Sequence, residues 1–345
     1  MPRVTVTVRD SGGRTATTTA DYQVSSPVLG GYYLSGNGNP VADLAGGNIR
    51  SLTQYRSFAD GYLFPGWNKP WLTELGAAGM KINMVLELKH YGAPHAGEQT
   101  FRVNGRTYTV PAPAMTIQQR PGTTWPRAYG YDQVLSGQCD GLFARALAQY
   151  QEMGVGMNLQ LASELDTDHE FGTREAGAAY TWAESDARAV AALTYIVTWF
   201  KTRGLPAGTT FSVGAGGFDR ACYQRTHPEA LMAKLDFLQW NVYATSATHT
   251  ALARFRRTKD WVVADLGPVA LSRPVLIAEW GVRSAEHPDQ AAWIETVPAA
   301  VAALNAEGGP RIARTNYFNS GWGWLVPKDT GLAALKRAYT TRPYV

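Results

Sequence analysis

The chain has 345 residues, 45% of them apolar, which is enough for one large domain with a sizeable core and a small appendage. Its formal net charge is only +4, and no Lys/Arg run gathers on a predicted face, so a basic nucleic-acid-binding surface is excluded. No apolar stretch reaches the roughly 20 residues that span a bilayer, and the low charged fraction of 17% beside 11 Trp and 17 Tyr suggests core aromatics plus a surface that meets neutral rings.

Residues 4–24 alternate from Val4-Thr-Val-Thr-Val8 through Asp10-Ser-Gly-Gly13 to a second run ending at Val24. This pattern predicts a hairpin with a Gly-rich turn. A lone two-stranded hairpin is barely stable in water, so it must pack on the rest of the chain or belong to a larger sandwich. It resembles the last strands of a polycystic-kidney-disease-type or immunoglobulin-like module. Pro27 marks a linker, which divides the chain into residues 1–27 and 28–345.

From Val28 onward, apolar strand-like runs alternate with helix-like ones. The predicted strands are 29–34, 49–55, 81–88, 157–162, 210–213, 237–242, 274–278 and 314–318. The clearest helices are 140–153, 183–203, 227–235, 289–305 and 332–339, and a short one is expected around 41–45. The helix at 289–305 shows apolar spacings of three and four at Trp293, Ile294, Val297, Val301 and Leu304. Eight strands that read as apolar on both faces and alternate with helices predict an α/β (β/α)8 TIM barrel. A doubly wound open sheet is the alternative, but Gly36-Asn-Gly38 lacks the third glycine of a nucleotide-binding turn. Residues 92–130 form a long insertion after the third strand, with a small hairpin expected at Asn104-Gly105. Loops at that end of a barrel shape clefts.

Two glutamates close apolar strands. Glu164 ends Asn158-Leu-Gln-Leu-Ala-Ser-Glu164, and Glu279 ends Pro274-Val-Leu-Ile-Ala-Glu279. A carboxylate where a buried strand emerges is costly unless solvent or a partner meets it. Two of them, on the fourth and seventh strands of a closed sheet, predict one shared site. Glycosidic bonds are cleaved with retention by carboxyls about 5–5.5 Å apart, one protonated and one ionised. On this reading Glu164 is the acid/base and Glu279 the nucleophile; for either glutamate alone, a structural ion pair would be the simpler account.

Several segments resemble glycoside hydrolase family 26, the retaining β-mannanase family of a large barrel clan. Ser136-Gly-Gln-Cys-Asp140 with Leu142–Leu147 is similar to the family's helix before the fourth strand. Leu159–Asp166 with Phe171-Gly172 is similar to its acid/base strand, and Pro274–Gly281 to its nucleophile strand. Tyr317-Phe318-Asn319 with Trp322, and then Gly331–Tyr344, are similar to its eighth strand and closing helix. The resemblance implies hydrolysis of internal β-linkages in a polysaccharide, with β-1,4-mannan favoured. The chain departs from the family pattern beside the acid/base: Ser163 replaces a His, Asp166 an Asn, and His169 an aromatic. The resemblance implies that these positions line the sugar nearest the scissile bond, so a β-glucan, a β-1,3-xylan or a bacterial cell-wall glycan stay open as substrates. A glycan-binding phage or surface module without turnover also stays open.

The resemblance further implies that Tyr243, ending Gln239-Trp-Asn-Val-Tyr243, hydrogen-bonds the nucleophile and keeps it ionised. Trp280 follows the nucleophile and is either a sugar contact or a core residue. Trp322 and Trp324 lie in a Gly-rich turn, where one indole is expected to stack on a sugar. His90 after the third strand, and Trp125 and Tyr129 in the insertion, are candidate cleft residues. Asp168 and His169 lack a third ligand at metal-binding spacing, so neither a metal nor another cofactor is expected. Cys139 and Cys222 leave a disulfide and two free thiols both open. Met1-Pro-Arg leads straight into alternating Val and Thr without a signal-peptide pattern, so the expectation is either a cytosolic protein or a piece of a longer exported chain, the second favoured. The expectation is an extracellular monomer whose partner is a polysaccharide, tethered to further N-terminal modules or held in a phage or surface assembly, and acting on neither nucleic acid nor membrane.

Overall fold

The computed structural model describes residues 3–9, 15–21, 28–32, 49–58, 70–88, 97–112, 129–168, 172–174, 178–318, 333–335 and 337. The short helix expected around 41–45, most of the closing helix, and His90, Trp125, His169, Trp322 and Trp324 lie outside these residues.

Strands β1 (Arg3–Arg9) and β2 (Thr15–Asp21) pair antiparallel from Arg3↔Asp21 to Arg9↔Thr15. The main sheet then begins with β3 (Val28–Tyr32), β4 (Ile49–Ser57) and β5 (Lys81–Glu87). An inserted hairpin comes next, of β6 (Gln99–Val103) and β7 (Arg106–Val110). Its turn is Asn104-Gly105, both at positive φ (49° and 77°), the geometry that a two-residue hairpin loop requires. The sheet continues with β8 (Asn158–Leu161), a side pair of β9 (Gly172–Arg174) and β10 (Ala178–Tyr180), then β11 (Thr210–Val213), β12 (Leu238–Ala244), β13 (Val275–Val282) and β14 (Ile312–Tyr317).

All eight expected strands are present in one parallel sheet, ordered β11-β8-β5-β4-β3-β14-β13-β12, and among the described residues helices lie between the consecutive sheet strands from β4 to β14: the (β/α)8 arrangement. No ladder joins β11 to β12. They meet instead through the Asp236 and Phe237 N–H groups donating to the Phe211 carbonyl (2.8 and 3.3 Å) and the Ser212 hydroxyl donating to Gln239 Oε1 (2.7 Å).

The helices have physical start signals. Trp182–Lys201 opens on a capping box between Thr181 and Glu184, and Gln290–Ala306 opens on Asp289 accepting from the Ala292 N–H. Asp140–Met153 closes on Gly154 at φ 65°. The helix expected at 227–235 is the shorter Glu229–Met232, with Pro228, which has no N–H for a helix interior, at its N-cap; a further helix, Arg220–Thr226, precedes it.

The strands are not apolar on both faces. Ile82, Met84, Leu86, Leu159, Leu161, Phe211, Val213, Leu238, Trp240 and Val242 join the apolar core under the helices. Their alternate neighbours are polar and form a buried chain of hydrogen bonds across six strands. Asn316 donates to Thr53 Oγ1 (2.5 Å), and Asn83 to Thr53 Oγ1 and Gln160 Oε1 (3.3 and 2.6 Å). Asn158 donates to Asn83 Oδ1 and Ser212 Oγ (2.6 and 2.8 Å), and the Ser212 hydroxyl donates in turn to Gln239. A buried polar group is tolerated when it is paired, and such a network specifies one register. Cys139 and Cys222 are both buried free thiols, so no disulfide links them.

Candidate active site

Glu164 is aimed by a turn under backbone strain. After Leu161 the chain enters Ala162 at φ 62°, a left-handed conformation that a residue with a Cβ adopts at a cost. The Ala162 N–H donates to the Leu86 carbonyl (3.1 Å), and the Leu165 N–H to the Gly214 carbonyl (3.2 Å). Gly214 is required there, because a Cβ on it would lie 2.3 Å from the Ala162 carbonyl oxygen. Ser163 and Asp166 are buried, while Glu164 between them is partly exposed. Glu164 Oε1 accepts from Asn241 Nδ2 (3.1 Å) and Oε2 from the Thr167 hydroxyl (3.3 Å).

Glu279 is aimed by a β-bulge. Trp240 pairs with Ile277, but the next residue, Asn241, pairs with Glu279, so Ala278 is the extra residue. A bulge of this kind reverses the alternation of the strand. Leu276 and Ala278 pack in a small cluster with Phe237, Glu279 lies level with Asn241, and Trp280 faces the helices. The Tyr243 hydroxyl donates to Glu279 Oε2. Asn241 and Tyr243 are two apart on β12 and share a face, so one strand touches both carboxyls. Glu279 is 4% exposed, and burial pushes its carboxyl up to about 8. The hydrogen bond from Tyr243 acts the other way, because it favours the charged form.

The remaining expected site residues divide. Trp280 is fully buried against Tyr317, Phe255 and Trp293 (ring centroids 4.8, 6.4 and 6.0 Å), which makes it a core residue and not a sugar contact. Ser163 is buried and donates to Glu87 Oε1 (2.5 Å) at the end of the neighbouring strand β5. Asp166 does not line a sugar as expected; its carboxylate instead accepts from the N–H groups of Gly216 (2.7 Å), Phe218 (2.5 Å) and Asp219 (3.0 Å). Tyr129 is buried and donates to the Pro111 carbonyl (3.1 Å), which ties down one end of the insertion. Among the described residues, no group of three His, Cys, Asp or Glu side chains could hold a metal ion.

Four residues at this site went unnoticed in the sequence: Asn241, Thr167, Glu87 and Phe218. Asn241 was within reach, because Gln239, Asn241 and Tyr243 alternate with Trp240 and Val242 and must share a face. Glu87, 3% exposed at the end of β5, was hidden by reading its strand as apolar. Thr167 and Phe218 carry no local signal; only the fold brings Thr167 to Glu164 and Phe218 to Tyr243.

No protein-family model matches the chain, and neither does the sequence of any curated protein. Solved structures do match in fold. One is GH26C from Muricauda sp. MAR_2010_75, with a TM-score of 0.58 and 11% identity over 93% of this chain and 87% of that one. Another is a family 39 glycoside hydrolase from Bacteroides cellulosilyticus WH2, with a TM-score of 0.55 and 12% identity over 98% of this chain and 70% of that one. A third is the endo-β-1,4-mannanase from Thermotoga petrophila, with a TM-score of 0.53 and 11% identity over 92% of this chain and 77% of that one. At these identities the likeness is one of fold: the chain shares the parallel (β/α)8 architecture of these structures.

Proposed function

We propose that the protein is a retaining glycoside hydrolase that cleaves internal β-linkages of a polysaccharide. The observation that carries this reading is strand β12, which presents Asn241 to Glu164 and Tyr243 to Glu279 from one face. Glu164 gives its proton to the departing glycosidic oxygen while the Glu279 carboxylate attacks the anomeric carbon, so the C–O bond breaks as a glycosyl ester forms. Glu164, now ionised, takes a proton from water; the water oxygen attacks the same carbon and frees Glu279. Asn241 orients Glu164, and Tyr243 stabilises the anion of Glu279.

β-1,4-Mannan is the favoured substrate, on the resemblance of the two glutamate strands and on the fold likeness to an enzyme described as an endo-β-1,4-mannanase. The substitutions at Ser163, Asp166 and His169 support keeping other β-glycans on the panel. Polymeric substrates of this kind suit an exported, monomeric enzyme; among the described residues no helix is long and apolar enough to cross a membrane.

The test is a panel of β-mannan, mixed-linkage β-glucan, β-1,3-xylan and peptidoglycan, read by release of reducing ends, with Glu279→Ala beside the unaltered protein. At least one polymer is hydrolysed, and the substitution lowers kcat by about three orders of magnitude or more. Equal turnover by both proteins removes Glu279 from the mechanism. The substitutions at Ser163, Asp166 and His169, beside Glu164, favour a second reading, a glycan binder without turnover. Retention on a glycan with no turnover at any pH between 5 and 9 would establish that reading instead.

A further inference from the structure

Phe218 is the one aromatic among the large apolar side chains that are exposed in the described residues; the others are Leu135 and Val263. It is 43% exposed and sits on the turn after β11. An exposed ring is unremarkable on a loose loop, but this turn is held by two side chains. The Asp166 carboxylate, itself 5% exposed, accepts from the N–H groups of Gly216, Phe218 and Asp219. Arg257 Nη2 donates to the Gly217 carbonyl (2.6 Å). Gly217 is at φ 73°, and a Cβ on Gly216 would lie 2.7 Å from Asp166 Oδ1, so the turn is shaped around that carboxylate. The Phe218 ring lies nearly parallel to that of Tyr243 (interplanar angle 14°, centroids 6.5 Å apart), and the Tyr243 hydroxyl reaches Glu279.

A rigid, partly uncovered aromatic ring beside the nucleophile's hydrogen-bond partner fits the C–H face of a pyranose. Burying that face on the ring removes apolar area from water without costing either partner a hydrogen bond. Rigidity matters because an ordered platform loses little entropy on binding. We propose that Phe218 is a sugar-stacking platform of the cleft and that Asp166 is the positioning residue that fixes it. This rests on the glycan-cleaving reading of the site and adds to it a binding position and its preference: a pyranose with an unobstructed C–H face. Asp166 then links the acid/base turn to the platform, because it lies two residues after Glu164 and grips the loop that carries Phe218.

The experiment compares the unaltered protein with Phe218→Ala, Phe218→Trp, Asp166→Asn and the double variant Asp166→Asn/Phe218→Ala. Each is assayed on the hydrolysed polymer of the panel and by affinity electrophoresis in gels containing each soluble glycan. Phe218→Ala is expected to raise KM roughly tenfold, with kcat changed by less than about threefold, and to lose retention in the gel. Phe218→Trp keeps KM near its original value. Asp166→Asn raises KM in the same direction, and the double variant is no worse than Phe218→Ala, as two changes acting through one contact require. An unchanged KM and unchanged retention in Phe218→Ala overturn the platform while the glycosidase reading stands. Retention lost in that variant, in a protein with no turnover on any polymer, keeps the platform and removes the enzyme. Absence of both turnover and retention in the unaltered protein overturns both. Additive KM increases in the double variant overturn the role given to Asp166.

Discussion

The central tension at the scale of single residues is in Glu279. Burial at 4% exposure raises its carboxyl to about 8, yet a nucleophile must be ionised. Tyr243 is the group that resolves this, because a hydroxyl donating to the carboxylate stabilises the charged form alone. Removing the donor in Tyr243→Phe raises the Glu279 pKa further. The acidic limb of kcat/KM against pH therefore moves to higher pH, by about one unit, and kcat at pH 7 falls about tenfold or more. A profile measured from pH 5 to 10 checks this; an unmoved acidic limb means that Tyr243 does not tune the carboxyl. The same logic separates Glu164 from its neighbours. Ser163 and Asp166 are occupied by Glu87 and by backbone amides, which leaves Glu164 as the partly exposed acid of that turn.

Two irregularities of secondary structure aim the two carboxyls: left-handed Ala162 before Glu164 and the bulge at Ala278 before Glu279. Strain of this kind persists where the surroundings over-determine it, and it clusters at functional sites. Ala162→Gly relieves the left-handed conformation and is expected to stabilise the protein by up to about 1 kcal/mol, a rise of about 2 °C in Tm. It also frees the turn, so kcat falls while KM changes little. Thermal unfolding alongside kinetics tests both halves; a lowered Tm would show that Ala162 is not strained. These irregularities also mark where the sequence stops being legible. The eight strands could be read because β-branched and apolar runs recur between helix-like segments, and Asn104-Gly105 announced its own hairpin. The bulge could not, since nothing in Ile277-Ala278-Glu279 signals a skipped pairing. The inward polar chain of Asn83, Asn158, Gln160, Ser212 and Gln239 was present as alternation but was masked by the apolar residues between. Trp280 misled for the same reason: beside Glu279 in the sequence, it points to the opposite side of the strand.

In the molecule as a whole, a barrel with a polar interior supports a polar mouth. The hydrogen-bonded chain from Asn316 through Thr53, Asn83 and Asn158 to Gln239 lies in the same interior as the face of β12 that reaches the carboxyls. That arrangement fixes strand register, and register fixes which residues meet Glu164 and Glu279. Fold likeness to glycoside hydrolases at 11–12% identity is compatible with many substrates, so the chemistry must be tested at the carboxyls themselves. The most direct measurement exposes the protein to 2-deoxy-2-fluoro β-glycosyl fluorides of the manno and gluco series and tracks intact mass and then peptide mass. A covalent glycosyl adduct located on Glu279 is the predicted result. An adduct on another residue, or hydrolysis of a panel polymer with release of the inverted anomer, would contradict it.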